Sequence, residues 1–380
     1  MKDLSESRIL IVDDVKANVD VLVQTLREHY KLSVALDGAA ALRSIERNPP
    51  DLVLLDILMP PGIDGYEVCR QIRANEATRD IPVMFLSSLE DVRDKARGFE
   101  VGGNDYLTKP FEGLEVKARV HSLLKAKAYN DAIREAIARE LRIAREIQMG
   151  ILPADLAAAT QGTPIAVDAV IEPARQVGGD LYEVLRAADD RIVVALGDVS
   201  GKGIPAAMFM AVAVTVLRTL ARTITDPAEI LRRLNDELAD QNPRGMFVTV
   251  QCLVFDLAKE EVAVAGAGHH QLVVLSPGQP PRLAFPSSGR PAGLMPFNPV
   301  ERESIGLSAG TTFVLFSDGV SEAMNAADEF FGEERLLAHL AGSSSVSPTD
   351  IVRGTLDAVR AFAAGAPQSD DITILAARYR

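Results

Sequence analysis

The order of apolar segments along the chain constrains the fold more than any other feature of the sequence. Within residues 8–125, short apolar runs alternate with amphipathic helical stretches, and the runs are RILIV, KLSVAL, DLVLLD, IPVMFLS and NDYLTK. Five strands that alternate with helices predict a parallel sheet covered by helices on both faces. In such a sheet, functional side chains gather at the carboxyl ends of the strands.

Residues 111–151 form one long helical stretch, with no glycine between Leu114 and Met149. Apolar residues recur there at spacings of three and four, with Arg and Glu alongside; they are Ile133, Ile137, Leu141, Ala144, Ile147 and Ile151. Such a stripe is typical of an amphipathic helix. It predicts a connecting helix that either pairs with its own copy, as a coiled coil, or folds back on a neighbouring domain.

The pattern changes again from Pro164 to the end of the sequence, where strand segments mostly follow one another directly. Helical stretches are fewer there and lie at 204–221, 226–240 and 347–364. This order predicts an α+β unit of antiparallel sheets flanked by helices. We therefore expect a multidomain chain with a first domain at 1–125, a helical linker at 126–152 and a second domain at 153–380.

Composition narrows the class of protein. The chain has 380 residues, 47% hydrophobic and 24% charged, which suits a globular protein with more than one core. Its net charge of −13 argues against nucleic acid, because phosphates select basic surfaces. Cys69 and Cys252 are the two cysteines, and the longest apolar run, 204–217, is too short for a bilayer span. We expect a cytoplasmic protein with no membrane or nucleic-acid partner.

Polar residues end several strands of the first domain. Asp13 and Asp14 follow the first strand, Asp56 ends the third, Ser87 the fourth and Lys109 the fifth. If three carboxylates share one rim, each pair at 4 Å costs about 4 kcal/mol at an effective dielectric of 20. A divalent cation removes that repulsion, and oxygen ligands suit Mg²⁺. Carboxylate, cation, lysine and hydroxyl together can accept a phosphoryl group.

These residues, in this order, resemble the receiver domain of two-component response regulators, a flavodoxin-like fold. The resemblance covers essentially all of 8–125 and implies that a sensor histidine kinase phosphorylates Asp56. It implies that Lys109 contacts the phosphoryl group and that Ser87 and Tyr106 form a switch pair. It also implies a Mg²⁺ ion held by Asp13, Asp14, Asp56 and the backbone carbonyl of Leu58. One departure is the loop MPPGIDG, which is one residue longer than usual.

A second group of acids lies in four motifs of the second domain, RQVGGDLYEV, GDVSGKG, FSDGVSEA and QSDDIT. Each acid sits at a strand end or in a glycine-flanked turn; they are Asp180, Glu183, Asp198, Asp318, Glu322, Asp370 and Asp371. Histidine is scarce, so a zinc site is disfavoured, and carboxylates suit Mg²⁺ or Mn²⁺. Two such ions can activate a water and neutralise phosphoryl oxygens. The cluster therefore predicts hydrolysis of phosphate esters.

The four motifs resemble those of the metal-dependent PPM serine/threonine phosphatases, in the branch of stage II sporulation protein E and sigma-factor-regulator U. LRIAREIQMGILP is similar to the regulatory helix of that branch, and GAGHH to its GH turn. The resemblance implies an antiparallel β-sandwich flanked by helices and two Mn²⁺ or Mg²⁺ ions. It implies catalytic roles for Asp180 and Asp198 and a phosphate contact from Arg175. The implied metal ligands are Asp180, Asp198, the Val199 carbonyl, Asp318, Asp370 and Asp371.

Two residues depart from that pattern. Glu183 stands where the branch usually has aspartate, and Ser200 follows Val199 where the wider family often has a histidine. The pattern therefore assigns no residue to protonate the leaving serine.

Together the resemblances imply a response regulator whose receiver controls a serine/threonine phosphatase through a helical, dimer-forming linker. In this branch the usual substrate is a phosphorylated anti-sigma-factor antagonist in a partner-switching pathway. A different class stays open: a catalytically weak phosphatase fold that sequesters a partner protein under control of receiver phosphorylation.

Overall fold

The computed structural model describes residues 3–87, 92–240, 242, 244–341, 343 and 346–380, with only the backbone described at 92–95. Its contacts divide the chain into two compact units, Met1–Arg139 and Glu140–Arg380. The boundaries at 125 and 152 that the sequence suggests stay predictions.

The first unit is built on the predicted five-stranded parallel sheet, which is confirmed. The strands are β1 (Arg8–Val12), β2 (Lys31–Ala35), β3 (Leu52–Asp56), β4 (Val83–Ser87) and β5 (Asp105–Thr108), in the order β2-β1-β3-β4-β5. The helices are α1 (Lys16–Leu26), α2 (Gly38–Arg47), α3 (Gly65–Ala74), α4 (Val92–Glu100) and the start of α5 (Gly113–Ile151). Every residue of β3 and β4 is buried, as expected for strands covered on both faces.

Helix α5 is 39 residues long and agrees with the predicted connecting helix. Its first turns pack onto the sheet of the first unit through Val116 and Val120. Further along, Ile133 is 41% and Ile137 54% exposed. Of the six residues of the apolar stripe, Ile133, Ile137 and Ile147 are exposed and the other three are partly buried. Its pairing with a second copy stays a prediction.

The second unit contains two antiparallel five-stranded sheets, ordered β13-β10-β9-β8-β7 and β12-β11-β14-β15-β6. Its strands are β6 (Ile165–Glu172), β7 (Leu181–Arg186), β8 (Ile192–Val199), β9 (Val248–Asp256), β10 (Glu261–Ala267), β11 (Leu272–Leu275), β12 (Arg282–Ala284), β13 (Glu303–Gly306), β14 (Thr312–Phe316) and β15 (Ile372–Tyr379). The sheets share one core, in which the rings of Phe255 and Phe313 lie 5.7 Å apart, edge to face.

Helices cover the outer faces of this sandwich, so the predicted α+β architecture is confirmed. They are the end of α5, then α6 (Leu156–Thr160), α7 (Ile204–Ala221), α8 (Pro227–Ala239), α9 (Asp318–Ser321), α10 (Gly332–Leu340) and α11 (Pro348–Ala363). Helix α7 packs on β7, β8 and α8, and α11 packs on β6 and β15. By length and composition alone α7 could also cross a membrane, which is weak evidence because core helices pass the same test.

Candidate functional site

The carboxyl ends of the parallel strands bring three carboxylates together in the first unit. Oxygens of Asp13, Asp14 and Asp56 all lie within 4.8 Å of one another. Asp13 is fully buried and is fixed by hydrogen bonds from the Val15 backbone amide at 2.9 Å and the Asn18 side chain at 3.0 Å. The three predicted carboxylates therefore lie together, and hydrogen bonds hold Asp13 in position.

Lys109 bridges two of these carboxylates, Asp13 and Asp56. Its Nζ is 2.8 Å from Asp13 Oδ2 and 2.7 Å from Asp56 Oδ2. Burial raises the pKa of Asp56, and the Lys109 ammonium opposes that rise. Burial would lower the pKa of Lys109, but its hydrogen bonds with Asp13 and Asp56 outweigh burial and raise it. The ammonium is therefore held protonated beside the carboxylate that the resemblance names as phospho-acceptor.

Ser87 and Leu58 follow at the same rim, whereas Tyr106 pairs with Phe85, two residues before the end of β4. Ser87 ends β4 and is 3% exposed, and Leu58 follows Asp56 by two residues. Tyr106 on β5 is buried between the rings of Phe85 at 5.3 Å and Phe99 at 5.5 Å. The loop after β3 returns so closely that a Cβ on Gly65 would lie 2.2 Å from the Asp56 carbonyl oxygen, so only glycine fits there.

In the second unit, the predicted acids lie at neighbouring ends of both sheets. Asp198 is the seventh residue of β8, Asp318 begins α9, and Asp370 precedes β15. Burial, and then the charge of Asp318, raises the pKa of Asp198 to about 7. Burial, and then the charge of Asp370, raises the pKa of Asp318. These carboxylates repel one another, which is the electrostatic condition that a bound cation relieves.

Asp180 is the most deeply buried of these acids, at 1% exposure, and lies one residue before β7. Burial, and then the charge of Asp198, raises its pKa well above the usual range. Its Oδ2 accepts a 2.5 Å hydrogen bond from the Thr373 hydroxyl on β15. Within the described part of the chain, its Oδ1 has no hydrogen-bond partner although it is buried. A buried carboxylate oxygen without a donor, in an all-oxygen acid cluster, fits a divalent cation.

Asp370 is paired with a cation that the sequence interpretation missed. Lys202 Nζ lies 2.7 Å from Asp370 Oδ2 and donates to the Ser369 carbonyl at 2.6 Å. Lys202 lies within the motif GDVSGKG, so the lysine is visible in the sequence although its partner is not. The acids of the second unit lie further apart than Asp13, Asp14 and Asp56 of the first. Among the described residues, no three of them have ligand atoms within 4.8 Å of one another.

Asp371 uses both carboxylate oxygens to fix a loop. Oδ1 accepts from the Ala174 amide at 2.8 Å, and Oδ2 accepts from the Gly179 amide at 2.6 Å. The close approach requires glycine, since a Cβ on Gly178 would lie 2.2 Å from Asp371 Oδ2. A Cβ on Gly179 would lie 2.8 Å from the Val199 carbonyl oxygen. Asp371 thus orients the loop that carries Asp180. The same loop passes close to the Val199 carbonyl, which is predicted as a metal ligand.

Two other polar residues of the motifs lie apart from the acids. Glu183 on β7 is 2% exposed and accepts a 2.6 Å hydrogen bond from Arg218 Nε on α7, so its carboxylate forms a buried ion pair. Arg175 is exposed in the loop before Asp180, and it makes no hydrogen bond or ion pair with any described residue. Among the described residues its guanidinium therefore has no partner, and its contact with a phosphate stays a prediction.

The end of helix α5 contacts this same loop. The Gln148 side chain, 6% exposed, donates to the Gly178 carbonyl at 2.6 Å and accepts from the Gly178 amide at 3.2 Å. Gly178 is two residues before Asp180. The sequence pattern identifies the segment LRIAREIQMGILP but not this glutamine. Its only signal is a polar residue at a position that the helix buries.

His269 has a structural role. Burial, and then His270, lowers its pKa to about 3, so the ring is neutral. Its Nδ1 hydrogen bonds with the Thr249 hydroxyl at 2.8 Å and its Nε2 with the Phe316 carbonyl at 3.1 Å. In the neutral ring the one N–H faces the Phe316 carbonyl, so Nδ1 accepts the proton of the Thr249 hydroxyl, whose oxygen also lies 3.3 Å from the Asp198 carbonyl oxygen. The ring therefore joins the two sheets behind the acid cluster.

The fold and the two acid clusters define a class of protein, a receiver domain followed by a PP2C-type phosphatase domain. The receiver domain of response regulators matches residues 9–121, and stage II sporulation protein E (SpoIIE) matches residues 188–380. The latter match spans half of the chain. The chain therefore belongs to the SpoIIE family and carries a receiver domain, which confirms both resemblances seen in the sequence.

Curated relatives share parts of this architecture. Response regulator PleD of Caulobacter vibrioides is 43% identical over 130 residues, 34% of this chain and 28% of that protein. Protein IcfG of Synechocystis is 30% identical over 265 residues, 62% of this chain and 41% of that protein. The chain thus spans less than half the length of either relative.

Among solved structures, the SiaA-PP2C domain of Pseudomonas aeruginosa aligns with a TM-score of 0.58 at 24% identity. The alignment covers 66% of this chain and 99% of that domain. At this identity it establishes the fold of the second unit.

Proposed function

We propose that this chain is a two-component response regulator whose receiver, phosphorylated on Asp56, controls a metal-dependent protein serine/threonine phosphatase. The observation that carries the catalytic part is a group of buried and half-buried carboxylates around Asp198. Burial and the charges of Asp318 and Asp370 raise the pKa of Asp198 to about 7, and the charge of Asp198 adds to the raised pKa of Asp180. Four converging carboxylates are costly to maintain unless a cation site needs them. A cytoplasmic protein that acts with a sensor kinase follows from this proposal.

The residues that would hold Mn²⁺ or Mg²⁺ are Asp180, Asp198, the Val199 carbonyl, Asp318 and Asp370. Such ions, when bound, activate a water nucleophile and neutralise the phosphoryl oxygens. The chain's own residues prepare the site in two ways. Thr373 and Asp371 fix the position of Asp180 and its loop. Arg175, exposed at the edge, would bind the phosphate group through its guanidinium.

The receiver would hold a single Mg²⁺ through Asp13, Asp14, Asp56 and the Leu58 carbonyl. Attack of an Asp56 oxygen on a phosphoryl donor would form an acyl phosphate and release the donor's leaving group. Lys109, 2.7 Å from Asp56, would neutralise the new negative charge. Ser87 and Tyr106 would then respond as a switch pair.

We expect Asp56→Asn to abolish phosphorylation of the chain, because the amide oxygen cannot form a stable acyl phosphate. The full-length protein is incubated with acetyl phosphate and Mg²⁺, and phosphorylated protein is separated on a phosphate-affinity gel. Asp20→Asn, at an exposed position of α1, is the matched control and should be phosphorylated like the wild type. Phosphorylation of Asp56→Asn to the wild-type extent would place the acceptor elsewhere.

Helix α5 is proposed to carry the signal, and its contact with the catalytic loop supports this. Gln148 holds Gly178 through both its amide oxygen and its amide nitrogen, two residues before Asp180. A shift or rotation of the helix would therefore move the backbone that places Asp180. Pairing of two chains through the exposed Ile133 and Ile137 would supply such a shift, and homodimerisation is part of the proposal.

We expect Gln148→Ala to remove the response to receiver phosphorylation. The ratio of phosphatase rates with and without beryllofluoride, a phosphoryl mimic, should fall to about 1, because helix and loop are no longer joined. Gln71→Ala, which removes an exposed glutamine of α3, is the control and should leave the ratio unchanged. A full response in Gln148→Ala would mean that the signal reaches the site by another route.

The proposed substrate is a phosphorylated anti-sigma-factor antagonist of a partner-switching pathway. The test is release of phosphate from antagonist proteins phosphorylated on serine, with Mn²⁺, with and without beryllofluoride. A metal-dependent rate that changes with the mimic supports the proposal.

One observation favours the second candidate, a phosphatase fold that sequesters its partner without turnover. Lys202 already places a positive charge on Asp370, as a cation would. Binding of the antagonist with no phosphate release, and no hydrolysis of p-nitrophenyl phosphate in Mn²⁺, would establish the sequestering function instead.

A further inference from the structure

Helix α7 exposes an apolar stripe next to the catalytic motif. Ile204, Met208 and Val212 are 54%, 68% and 52% exposed, and their spacing of four places them on one face. The same face continues with Thr215 and Thr219, which are also exposed but polar. The exposed face of a surface helix is ordinarily polar along its whole length. Here it is apolar only in the half that follows GDVSGKG.

This stripe lines one side of a groove. Phe209 and Met246 lie beside it, and the Asn242 amide nitrogen donates to the carbonyls of Met246 at 2.6 Å and Gly293 at 2.9 Å. The side chain of Asn242 thereby fixes the neighbouring loop. Exposed apolar groups of this extent mark interaction sites in soluble proteins.

The loop after Gly293 adds further exposed apolar residues. Phe297 is 81% exposed and has a φ of +61°, a conformation that costs a bulky residue about 1–3 kcal/mol. The adjacent Asn298 is buried and exchanges two hydrogen bonds with the Arg290 backbone, at 2.9 and 2.6 Å. The loop is thus held in a strained form that presents an aromatic ring to solvent, as at protein-binding hot spots.

Charge and position indicate what binds there. Among the residues that line the groove, the charged one is Arg244, and the exposed Arg290 lies on the segment that leads to Gly293 beside it. A basic border suits an acidic, phosphorylated partner, whereas a symmetric contact between two copies would bring Arg244 near its own counterpart. Ile204 is six residues after Asp198, and Ile204 to Val212 spans about 12 Å along the helix. A folded protein seated there could place a phosphoserine at the acid cluster.

We propose that the α7 face, defined here as Ile204, Met208 and Val212 with the groove beside them, docks the phosphoprotein substrate. This inference rests on the proposed phosphatase function. Docking energy acts equally on bound substrate and transition state, so it lowers KM for the protein without changing kcat. A small ester does not reach the α7 face and gains nothing from it.

The experiment compares two substrates of the full-length protein in Mn²⁺, a serine-phosphorylated antagonist protein and p-nitrophenyl phosphate. In Met208→Asp, the ratio of kcat/KM for the protein to kcat/KM for the ester should fall about tenfold or more, mainly through KM. Val212→Asp is a second variant with the same expectation. Thr219→Asp places the same charge on the polar half of the face and should keep the wild-type ratio.

Other outcomes overturn the proposal in distinguishable ways. An unchanged ratio in both variants shows that the substrate docks elsewhere, with the phosphatase function intact. Equal losses on both substrates show that the α7 face supports the site itself. If light scattering shows that Met208→Asp dissociates a dimer while the ratio is unchanged, the α7 face is a contact between copies. If the wild type hydrolyses the ester but no phosphoprotein, both the docking proposal and the protein-substrate part of the proposed function are wrong.

Discussion

Asp198→Ala is expected to abolish phosphate-ester hydrolysis and, at the same time, to stabilise the metal-free protein. Asp198 lies within the charge field of Asp318 and Asp370, and burial together with these neighbours raises its pKa to about 7. Removing it removes both a proposed metal ligand and the repulsion. We expect the rate to fall about 10³-fold or more, and Mn²⁺ to lose most of its effect on Tm.

The raised pKa of Asp198 determines whether the stability of the metal-free protein rises or falls with pH. The pKa of Asp198 is about 7 in the folded protein against a reference value of 3.8, so the native state binds the extra proton between those values. Stability of the metal-free wild type therefore falls as pH rises from about 4 to about 7. Because Asp198 is half-buried and its charge is partly screened, we expect the free energy of unfolding to fall by about 2 kcal/mol over this pH range. In Asp198→Ala most of this pH dependence should be absent.

Thermal unfolding in EDTA across this pH range, with and without Mn²⁺, measures both effects. Asp357→Ala, at a highly exposed carboxylate of α11, is the control and should follow the wild type in rate and stability. A variant at Asp198 that keeps the wild-type rate would remove this residue from the catalytic machinery. A variant with a lower Tm than the wild type in EDTA at pH 7 would show that the cluster is not under repulsive strain.

The parallel sheet and its acid rim follow from the sequence because their signals are local. A buried strand is a contiguous apolar run, and parallel strands necessarily bring residues such as Asp13, Asp56 and Lys109 to one edge. The same holds for the ends of α7, predicted at 204–221 and observed at Ile204–Ala221. In the second unit, the motifs are recognisable because each acid is flanked by glycine or ends an apolar run, and both signals lie within a few residues.

The partners of these acids do not follow from the sequence, because they depend on which loops meet. Lys202 and Asp370 are 168 positions apart, and no spacing rule relates them. Asp371 stays a predicted metal ligand, but the amides of Ala174 and Gly179 that its two oxygens bind could not be predicted, because that contact requires the folded loop. Short strands such as β12 also gave no periodic signal, since three residues cannot show alternation.

Arg218→Ala is expected to destabilise the second unit by about 3–5 kcal/mol, the usual cost of leaving one partner of a buried ion pair alone. Arg218 Nε donates to Glu183 at 2.6 Å, and its Nη2 donates to the carbonyl of Ile151, the last residue of α5, at 2.6 Å. Glu183 is 2% exposed, and burial already raises its pKa. Without the guanidinium that pKa rises further, so the destabilisation should be larger at pH 8 than at pH 5.

The double variant Arg218→Ala/Glu183→Gln separates the stranded charge from the lost contacts. Because the amide carries no charge, it should recover part of the stability and remove the difference between pH 8 and pH 5. Arg222→Ala is the control: this exposed arginine acts on Glu183 through charge alone and should cost less than about 1 kcal/mol. Urea unfolding of all four proteins measures these values. If Arg218→Ala and Arg222→Ala lower the free energy of unfolding equally, the Arg218–Glu183 ion pair contributes no more than a surface charge. The end of α5 is then held in place without Arg218.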